Sequence, residues 1–180
     1  ALDGADELFY LDTVASLYGR NQLEALIEET SGSAFIPLTV GGGIQCCDAA
    51  IHLLRIGADK VALNTAVIKN PNIINDIANS VGNQALSVSI EAKRGNGGWE
   101  AYTDCGRNPT GRDAILWASE AAQRGAGEIL ITSIDRDGTR KGADIALLKA
   151  INVSVPVVYS GGIRLEDVLE VAKHSQGMAI

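Results

Sequence analysis

Two glycine-rich turns are the residues whose type and spacing point most directly to chemistry. Gly41–Gly43, the first glycine turn, follows the apolar run Ile36–Val40. The segment Ile36–Ile44 is similar in sequence to Val155–Ile163, in which Gly161 and Gly162 form the second glycine turn. Backbone N–H groups of such turns can approach a phosphate closely, and the helix that follows adds the positive end of its dipole. Two copies of the turn therefore predict a ligand with two phosphates, one held by each copy.

Polar side chains that could complete the two phosphate sites follow neighbouring predicted strands. Asn64 and Thr65 could donate side-chain hydrogen bonds to a phosphate held beside Gly42 and Gly43. The second phosphate would be held by residues from the other half of the chain, namely Thr132, Asp137, Gly138, Gly161 and Gly162. Because the carboxyl ends of parallel strands meet at one face, we expect both sets on the same side of the protein.

A second sequence match supports an internal duplication. Gly4–Leu8 is similar to Gly125–Ile129, at nearly the same separation as the two glycine turns. Two matches at nearly one offset indicate that the chain is built from two equivalent halves. Two unrelated strand–loop–helix units are the alternative explanation.

Short apolar runs alternate with segments of helical period along the chain, and this predicts right-handed βαβ units on a parallel sheet. The predicted strands are near-continuously apolar, as expected when both faces of a sheet are covered: Leu8–Asp12, Phe35–Val40, Lys60–Asn64, Leu86–Glu91, Glu128–Ile134, Val155–Ser160 and Met178–Ile180. The predicted helices are Gln22–Thr30, Asp48–Ile56, Pro71–Val81, Arg112–Arg124, Asp144–Ile151 and Leu165–His174. Trp99–Thr103 is predicted as a small excursion strand in the long loop from Lys93 to Gly111.

The duplication favours one α/β architecture over another. A repeat unit of four βα pairs predicts a (β/α)8 barrel, or TIM barrel, made of two half-barrels. On this interpretation residues 1–180 form a single barrel domain, incomplete at both ends, and we expect a fragment that lacks the first βα unit and most of the last. An open flavodoxin-like sheet is the alternative, but it would not explain the duplication.

Charged residues begin three of the predicted strands. Glu7, Lys60 and Glu128, here called the base cluster, lie at the opposite strand ends from the glycine turns. They could form a salt-bridged plug at the base of the barrel, or a gate for a small molecule that enters there.

Composition argues against several functions and locations. The net charge of −7, the absence of a basic run and the aromatic content of 4% argue against nucleic-acid binding. No apolar run is long enough to cross a bilayer, so we expect no membrane association. Cys46, Cys47 and Cys105 have neither zinc-ligand spacing nor a disulfide framework, which predicts reduced thiols, no metal and a cytoplasmic location.

Four segments together resemble a known family. They are Leu38–Ile44, Ala58–Val61 with Asn64 and Thr65, Trp99–Thr103 and Gly125–Thr139. The segments resemble the cyclase subunits of imidazole glycerol phosphate synthase, and the resemblance covers essentially all 180 residues. Thr132–Thr139 and the Trp99 excursion are specific to that family, whereas the glycine turns also occur in the related isomerase of the same pathway, another duplicated barrel.

The resemblance implies an enzyme of histidine biosynthesis that needs no cofactor. Such cyclases take ammonia from a glutaminase subunit docked at the barrel base, and join it to a ribulosyl intermediate that carries two phosphates. By position, Glu91 and Asp12 would be the catalytic residues, and the two phosphate sets would be those described above. Glu7, Lys60 and Glu128 would form the ring through which ammonia enters, and Asp59 would lie beside the partner interface.

Two features depart from the family's pattern. The family has a catalytic aspartate at the end of its first strand and another at the end of its fifth. The first of these would precede Ala1, and Glu91 occupies the position of the second. The loop Ala15–Asn21, with Tyr18 and Arg20, is similar to a paralogous branch associated with sugar amidation in surface-polysaccharide synthesis. Two alternatives to the cyclase therefore stay open: a barrel of that branch, and a non-catalytic phosphate-binding partner of a glutaminase. For Glu91, an ion pair with Lys93 or Arg94 is the structural alternative.

Overall fold

The computed structural model describes residues 4–13, 23–33 and 35–179. Nine strands are found in this part of the chain: β1 Leu8–Leu11, β2 Leu38–Gly41, β3 Lys60–Leu63, β4 Leu86–Gly95, β5 Gly98–Thr103, β6 Asn108–Asp113, β7 Glu128–Ser133, β8 Val157–Ser160 and β9 Gly177–Ala179. The loop that carries Tyr18 and Arg20, together with Gln22 and Ile180 at the ends of predicted elements, lies outside the described residues.

Helices separate the strands of the main sheet. They are α1 Leu23–Ser31, α2 Cys47–Arg55, α3 Thr65–Lys69, α4 Asn72–Val81, α5 Ala114–Arg124, α6 Ile145–Ala150 and α7 Val168–Val171, with short 3-10 turns at Asn83–Ala85 and Leu165–Asp167. Within the described residues, no helix has the length and apolar character that crossing a membrane requires.

The strand order identifies the architecture as a (β/α)8 barrel. Seven strands form one parallel sheet in the order β1-β2-β3-β4-β7-β8-β9, so strands that follow one another in the parallel series are neighbours in the sheet. A flavodoxin-like sheet would reverse its strand order at a switch point, and this sheet does not. The described strands thus curve as a nearly closed barrel with helices outside, as the duplication predicts.

Burial on both sides explains why these runs form parallel strands. Every residue of β2 is buried, and β4 is buried from Leu86 to Ile90. The surrounding helices contribute one apolar side each, such as Ile73, Ile74 and Ile77 on α4. Covering both faces of a sheet with apolar side chains is the arrangement that parallel strands require.

Two predicted strands begin later than expected because of proline. β2 begins at Leu38 rather than Phe35, and β8 begins at Val157 rather than Val155. Pro37 and Pro156 stand immediately before these starts. Proline has no N–H to donate to the sheet, so it is compatible with a strand's edge and not with its interior.

Three other predicted elements differ from the structure. β4 runs on to Gly95, so Glu91 does not end its strand as predicted. The excursion is a pair of antiparallel strands, because β5 pairs with both β4 and β6. The predicted helix Leu165–His174 is a 3-10 turn followed by the short α7, since Leu165 and Leu169 are exposed and only Val171 is buried in that helix. Little apolar burial stabilises a longer helix there.

Candidate active site at the carboxyl ends of the strands

A cavity of about 440 Å³ opens beyond the carboxyl ends of the first parallel strands. Six residues predicted from sequence line it: Asp12, Gly42, Gly43, Asn64, Thr65 and Glu91. Their convergence follows from the parallel sheet, which places the residues after β1, β2 and β3 at one edge. Lys69, Asp104 and Cys105 also line the cavity, and sequence reasoning did not anticipate them.

The two glycine turns repeat one packing arrangement. Gly42 has φ 106°, and a Cβ there would lie 2.2 Å from the carbonyl oxygen of Asp12 in the loop after β1. Gly161, its equivalent in the second half, has φ 113°, and a Cβ there would lie 2.8 Å from the carbonyl oxygen of Ser133 at the end of β7. Both positive φ values and both close approaches require glycine. Each turn thus packs on the backbone that leaves the preceding strand, as expected for two equivalent halves.

The second predicted phosphate set lies at the same face but does not line this cavity. Thr132 is in register with both Glu91 of β4 and Ser160 of β8, so it connects the cavity to the second glycine turn. The loop after β7 folds onto that turn, because the Gly142 amide donates a 3.0 Å hydrogen bond to the Gly162 carbonyl. Asp137 and Gly138 lie in this loop. The structure therefore describes two clusters on one face, with only the first joined to Glu91 in a single cavity.

Glu91 is half-buried, and one of its oxygens accepts two hydrogen bonds. The Gly106 amide donates to Oε2 at 2.7 Å, and Nδ2 of Asn64 donates to the same oxygen at 3.1 Å. Burial raises the pKa of Glu91, the Gly106 hydrogen bond opposes that shift, and the negative charges of Asp104 and Asp137 add to it. A carboxyl whose pKa is raised toward neutral suits proton transfer.

The structural alternative for Glu91 is not observed. Nζ of Lys93 lies 5.7 Å from the centre of the Tyr102 ring, and the guanidinium of Arg94 lies 4.6 Å from that of Trp99. Neither cation forms an ion pair with Glu91 among the described residues. The carboxylate is held by uncharged donors, and the pKa of Glu91 is raised because burial outweighs the Gly106 hydrogen bond.

Asn64 lines the cavity, but its side-chain amide donates to the Glu91 carboxylate and to a backbone carbonyl. Its Nδ2 donates to Glu91 and also, at 3.1 Å, to the carbonyl oxygen of Tyr102. Its Oδ1 is buried and finds no hydrogen-bond partner within the described segments. The predicted bond from Asn64 to a phosphate would require one of these two bonds to break. Thr65, by contrast, presents its hydroxyl at the cavity wall, where it accepts a 3.2 Å hydrogen bond from the Asp104 amide.

The turn between β5 and β6 closes one side of the cavity. In this tip turn, Asp104, Cys105 and Gly106 have φ of 53°, 58° and 73°, and the first two are unusual for residues with a Cβ. Sγ of Cys105 donates to the Thr13 carbonyl at 2.9 Å, so the turn reaches from Glu91 to the loop after β1. Burial raises the pKa of the Cys105 thiol, and the neighbouring Glu91 charge adds to that effect. Strained backbone of this kind concentrates at functional sites.

The second glycine turn is fixed by a buried tyrosine. The Tyr159 hydroxyl donates to the Gly161 carbonyl at 2.9 Å and accepts a 2.7 Å bond from the Asp144 amide. Nε1 of Trp99 donates to Oδ2 of Asp144 at 3.0 Å. The excursion strand β5 is thereby tied to the start of α6 and to the turn. Burial raises the pKa of Tyr159, which therefore stays a hydrogen-bond donor at neutral pH.

The base cluster forms at the opposite end of the barrel, as predicted. Nζ of Lys60 lies 2.8 Å from Oε2 of Glu128 and 3.1 Å from the Glu7 carboxylate, which also accepts a 2.5 Å bond from the Thr39 hydroxyl. Burial lowers the pKa of Lys60, but the hydrogen bonds to Glu128 and Glu7 outweigh burial, so the pKa lies above its usual value. Asp59 lies nearby and accepts a 2.8 Å bond from the Leu38 amide at the start of β2.

The fold and the site together define the class of protein. The chain is an enzyme of the (β/α)8-barrel class, with two matching glycine turns and a half-buried carboxyl at the carboxyl ends of its strands. Among the described residues, no group of three or more His, Cys, Asp or Glu side chains is arranged to hold a metal ion.

Comparison with known proteins gives the family. The model of a family described as "Histidine biosynthesis protein" matches residues 1–180, and the chain belongs to this family. It is 57% identical over 168 residues to "Imidazole glycerol phosphate synthase subunit HisF" of Legionella pneumophila, covering 91% of this chain and 79% of that protein. It is 49% identical over 172 residues to the subunit of the same name from Symbiobacterium thermophilum, covering 93% of this chain and 68% of that protein.

Proposed function

We propose that this chain is the cyclase subunit of an imidazole glycerol phosphate synthase and acts in histidine biosynthesis. The observation that carries the proposal is the half-buried Glu91, held in the same cavity as the first glycine turn and Thr65. A cyclase that acts on a phosphorylated substrate needs a proton-transfer group beside a turn that can bind phosphate. The identity of 57% to a HisF subunit supports the assignment.

The substrate proposed is a ribulosyl intermediate with a phosphate at each end. One phosphate would bind at Gly42, Gly43 and Thr65, within the cavity. The other would bind at the set formed by Thr132, Asp137, Gly138, Gly161 and Gly162. Because both clusters lie at the carboxyl ends of strands in one barrel, an extended ligand anchored at both would pass over Glu91, which is in register with Thr132. The reacting atoms would then lie beside the carboxyl.

Glu91 would transfer protons during the reaction. Joining ammonia to a carbonyl carbon releases that oxygen as water, and closing the ring breaks the C–N bond to an aminoimidazole carboxamide ribotide, so protons must leave the attacking nitrogen and reach the departing oxygen and nitrogen. Both hydrogen bonds of Glu91 go to Oε2, which leaves Oε1 for exchange with the substrate. The raised pKa lets the Glu91 carboxyl hold a proton to a higher pH than an exposed glutamate and makes its carboxylate a stronger base. Asp12, the second carboxyl proposed as catalytic, lines the same cavity beside the first glycine turn.

Ammonia would enter from the base of the barrel. We propose that a glutaminase subunit docks there, beside Asp59, and that the base cluster controls passage. Lys60 is the link between the two glutamates, so its displacement would open a path along the barrel axis. The network is only partly screened from water, since the side chain of Lys60 is 23% exposed.

Turnover of the ribulosyl intermediate tests the proposal. The full-length protein would be assayed for imidazole glycerol phosphate with ammonium salts, and then with glutamine and the glutaminase subunit. We expect product in both assays, without added metal. Phosphate binding without turnover in either assay would favour the non-catalytic alternative or the sugar-amidation branch over the cyclase.

A further inference from the structure

The described lining of the cavity contains one basic side chain among several carboxyls. The charged side chains found in its described lining are those of Asp12, Glu91, Asp104 and Lys69. Three of the four are acidic, so the lining on its own repels an anion. A phosphate placed beside the first glycine turn must therefore be compensated by a nearby positive charge as well as by uncharged amides.

Lys69 is placed to supply that charge. Thr65 and Lys69 are the first and last residues of α3, four positions apart, and thus share one face of the helix. Side chains on a helix lean toward its N-terminus, so the Lys69 side chain leans back over Thr65 and toward the first glycine turn. Both residues line the cavity, in agreement with this direction.

Among the described residues, the Lys69 ammonium has no ion-pair partner. None of the ion pairs between described residues includes Lys69, whereas Lys60, Lys149 and Lys173 each pair with a glutamate. An exposed lysine in this position loses no existing partner when an anion binds. Its flexible stem can also bring the charge to a tetrahedral anion from several directions.

We propose that Lys69 binds the phosphate group held by the first glycine turn and makes this half of the site specific for a phosphorylated ligand. The inference rests on the proposed function for the identity of the substrate, but not for the anion itself. Gly42, Gly43 and Thr65 give the phosphate its position, and Lys69 gives it the charge that the acidic lining lacks.

The test uses the full-length protein with Lys69→Met, Lys69→Arg and, as a matched control, Lys173→Met, which removes an exposed lysine of the outer helical layer. Affinity for inorganic phosphate is measured by calorimetry at low and high salt, and KM and kcat for the ribulosyl intermediate at saturating ammonium. Loss of a charge-assisted hydrogen bond predicts a roughly 10-fold weaker phosphate affinity and a roughly 10-fold higher KM for Lys69→Met. We expect kcat within about twofold, because ground-state and transition-state binding fall together.

The other outcomes separate the two proposals. Lys69→Arg should recover most of the phosphate affinity, and the affinity of Lys69→Met should depend less on salt than that of the wild type. If wild-type turnover is normal and Lys69→Met changes neither phosphate affinity nor KM, the role of Lys69 is wrong. An equal loss in Lys173→Met would also overturn it. If the wild type shows no turnover but Lys69→Met still weakens phosphate binding, the anion site stands and the cyclase assignment falls.

Discussion

The amide of Gly106 donates a 2.7 Å hydrogen bond to the carboxylate of Glu91, across a turn that belongs to a different hairpin. A glutamate reaches one methylene farther than the aspartate of the family pattern, and this reach brings it to the tip turn. Gly106 can present its amide there because its φ of 73° continues the left-handed path of Asp104 and Cys105. The longer side chain and the tip turn are thus one arrangement that fixes the carboxyl at the cavity wall.

Removing the acid function of Glu91 should abolish turnover. In Glu91→Gln the amide oxygen can still accept from Gly106 and Asn64, so the geometry survives while proton transfer is lost. We expect product formation with ammonium to fall by roughly 10²–10⁴-fold, with phosphate affinity nearly intact. Glu91→Asp keeps the carboxyl but withdraws it from Gly106, so its rate should lie between those of Glu91→Gln and the wild type. Wild-type-like turnover in Glu91→Gln would remove Glu91 from catalysis.

The same variant should be more stable than the wild type at neutral pH. Burial raises the pKa of Glu91 in the folded protein, so ionising it costs more when folded than when unfolded. Its favourable contribution is present below the unfolded pKa and is lost as pH rises through the folded one. Glu91→Gln does not ionise, and its thermal midpoint should exceed that of the wild type at pH 7.

This stability difference should shrink as the pH is lowered toward 4, because the wild-type carboxyl then becomes neutral as well. Glu29→Gln, at an exposed position on α1, serves as the control and should show no such pH-dependent gain. Thermal unfolding of the wild type and both variants at several pH values measures this difference in midpoint. A midpoint of Glu91→Gln below that of the wild type at pH 7 would mean that the carboxylate stabilises the fold, contrary to its raised pKa.

The barrel could be predicted from the sequence because its signals are local. Continuous apolar runs indicate buried parallel strands, and glycines at the strand ends mark turns that no other residue fits. The base cluster was also predictable, since charges at the first residues of parallel strands must meet at one end. Its ion pairs with Lys60 follow from that register rather than from any motif.

The tip turn could not be predicted in the same way. β6, Asn108–Asp113, contains Pro109 and Gly111 and has no buried residue, so no apolar pattern marks it as a strand. The helix α3 has five residues and buries only Val67, too little for a helical period to be recognised. The contacts of Gly106, Asp104 and Cys105 with distant loops depend on the closed fold. The Asp-Cys-Gly sequence alone indicates a turn and says nothing of what it covers.

Breaking the base cluster should affect ammonia delivery more than chemistry. In Lys60→Met, Glu7 and Glu128 lose the cation that joins them, far from the Glu91 cavity. We expect glutamine-dependent turnover in the complex with the glutaminase subunit to fall by roughly 10-fold or more, as for loss of a charge-assisted contact, while turnover with free ammonium changes little. Lys149→Met, which removes an exposed ion pair with Glu170, is the control. Equal losses in both assays would make the base cluster a structural plug.

The hydroxyl of Tyr159 should matter both to stability and to the second glycine turn. Tyr159 is fully buried, and its hydroxyl joins the Gly161 carbonyl to the Asp144 amide. The equivalent residue in the first half is Val40, so the first turn has no tyrosine hydroxyl at this position. In Tyr159→Phe, a buried amide and a buried carbonyl lose their partner. The free energy of unfolding should fall by about 1–3 kcal/mol.

The second glycine turn should also bind phosphate less well in Tyr159→Phe. With the Gly161 carbonyl no longer held, the amides of Gly161 and Gly162 are less fixed, so we expect KM for the ribulosyl intermediate to rise while kcat at saturation stays close to that of the wild type. Urea unfolding and steady-state kinetics measure the two effects separately, with Tyr10→Phe on β1 as the control at an exposed tyrosine. A loss of stability with an unchanged KM would confine Tyr159 to the fold. An unchanged stability would show that water replaces the hydroxyl between Asp144 and Gly161.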